Sequence, residues 1–141
     1  MPGMLRKILD SFQVGMYFTI ERMITEKDTA ANYGSHQLGH LIATPVYIDM
    51  MIEAAVRVVD DLLPEGLVSV GCSLEINHHE PTGLGMILRT KATLAEIKND
   101  RLWFDIEVSD DCGLVTTGKH ERAIVYQHEL FQRTNQRLLR T

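Results

Sequence analysis

Two adjacent histidines, His78 and His79, stand in NHHEPTGLG (residues 77–85), at the end of an apolar-polar alternating run and ahead of a Pro/Gly turn. Imidazole is the side chain whose ordinary pKa lies nearest neutrality, so either ring could act as a general base. Alternation from Val70 to His78 puts Val70, Cys72, Leu74, Ile76 and His78 on one face, with Gly71, Ser73, Glu75, Asn77 and His79 on the other. The apolar face must meet the core. His78 is therefore the inward residue and the candidate base, while His79 faces outward unless a bulge intervenes. A hydrogen-bonded core or interface histidine is the competing reading of the same pattern.

Other residues could join it. Thr44, in ATP, offers a hydroxyl at a helix start, either as a simple N-cap or, beside free backbone N–H groups, as a donor to a carbonyl oxygen. Glu53 is a carboxylate on the same helix, sharing a polar strip with Asp49, Arg57 and Asp60. Gly71 marks a bulge or a place where a ligand approaches the backbone. His120 and Arg122 share one face of GKHERAIVY. His36 and His40 are four residues apart but lack a third ligand pattern, so no metal site is expected. The glycines of PTGLG precede a strand and not a helix, which argues against a phosphate loop.

The elements that must position these groups are legible from periodicity. A short amphipathic helix is expected over residues 4–12, with Leu5, Ile8 and Leu9 on one side, and a strand over residues 16–24. Residues 25–43 mix polar and Gly residues and read as a loop with one helical turn. Thr44-Pro45 predicts a helix with Thr44 as N-cap. Its apolar positions are Ile48, Met51, Ile52, Ala55, Val56, Val59 and Leu62, with Tyr47, Met50 and Ala54 extending them to a second side, until Pro64-Glu65-Gly66 stops the pattern. Four strand-like runs follow, separated by EPTG, KND and DDCG, and read as a four-strand meander; residues 127–139 read as a surface helix. The sum is an α+β domain in which one antiparallel sheet wraps a long central helix, the element order of a hotdog fold.

The chain has 141 residues, 45% of them hydrophobic, which suits one domain with its own core. A formal charge of −5, with its basic residues dispersed, argues against nucleic acid and anionic membranes as partners. Cys72 and Cys112 form neither a CxxC pair nor a disulfide framework. The N-terminal segment is too interrupted for a secretory leader, and no apolar run reaches the roughly 20 residues that span a bilayer. A cytoplasmic protein is expected.

Four stretches, VGMYFTIERMITEKDTA, ATPVYIDMMIEAAV, SVGCSLEINHHEPTGLG and GKHERAIVY, together resemble the fluoroacetyl-CoA thioesterase-like branch of the hotdog thioesterases, over about residues 14–126. The resemblance implies a homodimer, with a dimer of dimers also open, in which two sheets join and acyl-CoA binds between protomers. CoA is part of the substrate and no cofactor is implied. It also implies a Thr–His–Glu group: Thr44 matches the threonine, His78 the histidine, and Gly71 the substrate-contacting glycine seven residues earlier. Gly71, His79 and Arg122 are the candidate substrate contacts. The family's glutamate falls eight residues after the threonine, where this chain has Ile52; Glu53 is one step later, about 100° around a helix. Either Glu53 still reaches the cleft or the protein works with a reduced catalytic group. Hydrolysis of a small acyl-CoA thioester is the expected function; non-hydrolytic acyl-CoA binding and acyl-thioester dehydration are its rivals.

Overall fold

A computed structural model describes residues 2–141, without the side chains of Pro2, Met4 and Leu5. Its elements are α1 (Pro2–Leu9), β1 (Tyr17–Met23), α2 (Thr44–Val59), β2 (Leu67–His78), β3 (Ile87–Lys98), β4 (Arg101–Asp110), β5 (Gly113–Tyr126) and α3 (Gln127–Leu138). The first helix begins and ends earlier than its pattern predicts. Ile8 is buried and Leu9 packs against the core, while the Leu5 side chain lies outside the described residues. The loop from 25 to 43 holds three short 3-10 turns instead of one, and α3 buries none of its residues.

All five strands form one antiparallel sheet in the order β1-β3-β4-β5-β2, and α2 packs against every strand. The expected four-strand meander is therefore only a three-strand one, β3-β4-β5. The reason is connection length. The β3–β4 link is only Asn99 and Asp100, with Asn99 at φ 57, a left-handed conformation suited to a tight hairpin. The β2–β3 link spans residues 79–86 and is tied elsewhere: Ile42 donates its N–H to the Thr82 carbonyl at 2.9 Å, and Leu41 bridges Gly83. It crosses the molecule, so β2 leaves β3 to β1 and takes the far edge beside β5.

The buried face of α2 also differs from the pattern. Val46, Tyr47, Met50, Met51, Ala54, Ala55, Val58 and Val59 are buried, whereas Ile48 and Val56 are half-buried and Ile52 is 37% exposed. Periodicity correctly marks the helix as apolar on two sides, but the side that carries Ile48, Ile52 and Val56 is only partly covered. Against the buried side, Gly118 of β5 lets α2 approach closely: a Cβ there would lie 2.9 Å from the Glu75 carbonyl oxygen and 3.1 Å from Met51 Sδ. Gly118→Ala is expected to lower the unfolding free energy by about 1–3 kcal/mol, because the Glu75 oxygen belongs to the sheet and cannot swing away. An unchanged urea midpoint would mean that β2 and Met51 yield freely.

Candidate active site

Strand β2 carries a bulge. Gly71 pairs with Arg122 and Ser73 with Glu121, leaving Cys72 as the extra residue. The single alternating face expected for Val70 through His78 is thereby broken. Leu67 and Ser69 are buried, Cys72 is exposed, and the inward phase resumes at Leu74, Ile76 and His78. His78 keeps its expected side because only the residues after the bulge set its phase. It is not buried, however: its ring stands in the mouth of a cavity of about 310 Å³.

Thr44 reaches that mouth from α2. The N-cap of the helix is Ala43, not Thr44, so the sequence pattern is off by one position. The Ala43 carbonyl accepts the Val46 N–H at 3.0 Å, and the Thr44 side chain makes no capping bond. Freed from capping, its hydroxyl lies 3.0 Å from His78 Nε2. On the other side of the ring, His78 Nδ1 is 3.3 Å from Thr116 Oγ1 of β5, the residue that pairs with His78 across the sheet. Tyr47 packs against the imidazole edge-on, with ring centroids 5.0 Å apart. Leu38, Leu41, Ile42 and Pro81 supply the apolar wall of the cavity.

These contacts accommodate the tautomer that a base requires. A Thr44 hydroxyl donating to Nε2 leaves Nδ1 as the protonated nitrogen, with Thr116 Oγ1 as its acceptor. His78 then presents a basic nitrogen toward the cavity. Thr44 also opens α2; Pro45 has no N–H and the Val46 N–H goes to the Ala43 carbonyl, so the Thr44 N–H is the first-turn donor that can hold an oxyanion. Burial pushes the Tyr47 hydroxyl above its ordinary pKa, against the opposite pull of the Thr82 and Thr116 hydroxyls, so it stays protonated at neutral pH.

The remaining expected residues are not at this cavity mouth, apart from His79 at its rim. His79 faces outward as expected, with Nε2 2.8 Å from Thr117 Oγ1. Glu53 is exposed on α2 and lies 3.9 Å from Arg57. Nine residues at 1.5 Å each separate it from Thr44, about 13.5 Å along the axis. Gly71 and Arg122 lie at the opposite end of the β2–β5 pair. Arg122 is buried and donates to Ser69 Oγ at 2.9 Å, the Ser69 carbonyl at 2.8 Å and His120 Nε2 at 3.0 Å. Its guanidinium is committed to the protein interior. His120 donates from Nδ1 to the Ser73 carbonyl at 2.8 Å; burial first, and the Arg122 charge in addition, hold its pKa below the ordinary value. A Cβ on Gly71 would sit 3.3 Å from the His120 ring, so this glycine makes room for that pair.

Sequence reasoning missed Tyr47 and Thr116 as site residues. Tyr47 had a signal, since a residue three positions after Thr44 shares its side of a helix. Thr116 had none, because its place follows from β2 pairing with β5. Among the described residues no group of three or more His, Cys, Asp or Glu side chains could hold a metal, and no helix is long and apolar enough to cross a membrane.

Comparison with known proteins agrees with this architecture. A hot-dog-like protein from Thermanaerovibrio acidaminovorans superposes with a TM-score of 0.86 at 28% identity, over 94% of this chain and 96% of that one. A variant of the fluoroacetyl-CoA thioesterase FlK, solved in complex with acetyl-CoA, gives 0.82 at 21% identity over 89% and 98%. The fold is a hotdog fold. In sequence, the fluoroacetyl-CoA thioesterase of Streptantibioticus cattleyicolor is 23% identical over 133 residues, 91% of this chain and 96% of its own length. The model of the fluoroacetyl-CoA-specific thioesterase family matches residues 24–128, well over half of the chain, and the protein therefore belongs to that family of thioester hydrolases.

Proposed function

We propose that the protein hydrolyses a small acyl-CoA thioester to the free acid and CoA, with His78 as the general base and Thr44 as its partner. The observation that carries this reading is the 3.0 Å approach of the Thr44 hydroxyl to His78 Nε2 at the mouth of an apolar-walled cavity. His78 Nε2 takes a proton from water as the oxygen attacks the thioester carbonyl. The Thr44 hydroxyl turns from Nε2 to the oxyanion as the water takes its place at the ring, and the Thr44 N–H is the backbone donor beside it. Collapse expels the CoA thiolate, which recovers the proton from the His78 imidazolium. A thiolate with a pKa near 8.5 leaves readily, so a base and good donors can suffice.

The working unit in this reading is a homodimer. Strand β2 has no second strand neighbour among the described residues, and the partly covered Ile48, Ile52 and Val56 row lies on α2. Joining two β2 edges would pair free backbone groups and bury that row. Gly71 lies on the same edge, so any contact it makes with substrate would be made at the junction. Glu53 takes part in the reaction only if the assembled dimer brings it to a partner's cavity.

The test is free-thiol release from a panel of short, branched, aromatic and halogenated acyl-CoAs, with Glu53→Gln run beside wild type. Turnover in wild type supports the reading. Turnover retained in Glu53→Gln assigns the reaction to Thr44 and His78 without that carboxylate, whereas binding of every ester with no release would make the protein an acyl-CoA binder.

A further inference from the structure

During the proposed reaction an imidazolium forms on His78, whose hydrogen-bond partners are only the hydroxyls of Thr44 and Thr116, in a cavity with an apolar wall. A charge created beside apolar walls is costly unless an opposite charge faces it. Glu53 lies beside Arg57 and not at this cavity. Of the residues that line the cavity, Glu80 alone is a carboxylate.

Glu80 stands two residues beyond His78, where β2 has ended and the link to β3 begins. Its backbone is held on both sides. The N–H groups of His79 and Glu80 both go to the Val115 carbonyl, at 2.8 and 3.1 Å, and the Thr82 carbonyl takes the Ile42 N–H at 2.9 Å. The side chain, in contrast, is uncommitted: Glu80 is exposed, and among the described residues no hydrogen bond or ion pair occupies its carboxylate. The other polar groups nearby are taken. His79 Nε2 is engaged with Thr117 Oγ1 on the outer face. Glu80 and Pro81 also wall a second cavity, of about 400 Å³, but the other acidic group there, Asp110, accepts from the Thr82 hydroxyl at 3.0 Å and from the Cys112 N–H at 2.8 Å. Glu80 is left as the free anionic acceptor beside the Thr44 and His78 pair.

We propose that Glu80 is the catalytic carboxylate of this site, holding the attacking water beside His78 and balancing the charge that forms on the ring. The role rests on His78 being the base of the hydrolysis proposed above. The water gives one proton to His78 Nε2 while its second O–H donates to Glu80, which leaves an oxygen lone pair aimed at the thioester carbonyl. The C–O bond forms, and collapse of the intermediate breaks the C–S bond. The thiolate recovers its proton from the imidazolium, and the O–H held by Glu80 becomes the hydroxyl of the product acid, which then ionises into bulk water. Glu80 itself ends the cycle in the state in which it began.

The experiment uses the full chain and measures kcat and KM for the best thioester of the panel in wild type, Glu80→Gln, Glu80→Ala and Glu107→Gln. The last removes the same charge from an exposed position on β4, away from the cavity. Glu80→Gln and Glu80→Ala are expected to lower kcat by about 10- to 100-fold with KM changed far less, the scale of loss when a reactant is no longer correctly oriented. Added formate, a carboxylate small enough to enter the vacated space, should restore part of the rate to Glu80→Ala in a saturable manner. It should not rescue Glu80→Gln, whose amide still fills the place. Glu107→Gln should match wild type. Because the Glu80 side chain bonds to nothing, all variants should melt with wild type, which separates lost chemistry from lost structure. A Glu80→Gln enzyme within about threefold of wild type would overturn the proposal while leaving the hydrolysis reading intact, provided that His78→Ala is impaired. A Glu80→Ala enzyme that formate cannot rescue would overturn it as well. Absence of thiol release by wild type from every ester would instead bring down the assigned reaction, and this role of Glu80 with it.

Discussion

Replacing His78 with alanine is expected to lower kcat for thioester hydrolysis by about 10²–10⁴-fold, the range over which a positioned general base contributes. The variant removes the only ring nitrogen that the structure places 3.0 Å from the Thr44 hydroxyl at the cavity mouth. It should fold normally. His78 is exposed and the Thr44 hydroxyl can turn to water, whereas the buried Thr116 hydroxyl loses a partner, so the stability loss should stay at about 1–2 kcal/mol. Thiol release and a thermal melt on the same preparation check both halves. A rate within about threefold of wild type, on a substrate that wild type turns over, would remove His78 from the base role. A large fall in melting temperature would instead identify it as a structural residue.

The second large effect lies outside the cavity. Asp28→Ala should cost about 2–3 kcal/mol of unfolding free energy at neutral pH, below the range for a fully buried charge pair because Arg22 is 32% exposed. Asp28 is 2% exposed and accepts from the Arg22 guanidinium, from the Thr25 N–H at 3.0 Å and from the Thr25 hydroxyl at 3.2 Å. Arg22 also reaches Asp49 of α2 at 3.1 Å, so the cluster ties β1 to the loop and the loop to the helix. The Asp28 carbonyl accepts the N–H of Ala43 at 3.0 Å, one residue before Thr44. Loss of the cluster should therefore loosen the segment that aims Thr44, and activity should fall with stability.

This prediction has a pH signature. Burial alone would raise the Asp28 pKa, but the Thr25 N–H, the Arg22 charge and the hydroxyl bond together hold it below the ordinary value of 3.8. A carboxyl whose pKa is lower folded than unfolded stabilises the fold above the unfolded value, and that stabilisation is lost as pH falls through the folded value. The gap between wild type and Asp28→Ala should thus be full at pH 7 and narrow below about pH 4. Melts across that range decide it: a gap equally wide at pH 3 would mean that packing, not charge, holds the cluster.

Much of this protein is legible in its sequence, and the particular failures share a cause. The change from helical to alternating period at Gly66 announced the helix and the strands after it, because side-chain period is a local property of backbone geometry. His78 was identified for the same reason: alternation from Leu74 onward is enough to aim it inward. The Thr44-Pro45 pair located the helix start to within one residue. What failed was each inference that needed a partner. The meander failed because strand order depends on where residues 79–86 cross, which hydrogen bonds to residues 40–42 decide. The single face of β2 failed because a bulge at Cys72 is a feature of two paired strands and not of one.

The sequence by itself determined the α+β class and the long apolar helix through the spacing of its side chains, and the family and the candidate pair Thr44 and His78 through the resemblance its motifs carry. Only the tertiary structure decided what surrounds that pair. It set Thr44 free of capping, put Thr116 and Tyr47 behind the histidine, turned Glu53 toward Arg57 and buried Arg122 against Ser69 and His120. Spacing fixes which way a side chain points from its own element. What it meets there depends on which distant element folds beside it, and for His78 that element is β5, paired through a register no local pattern encodes.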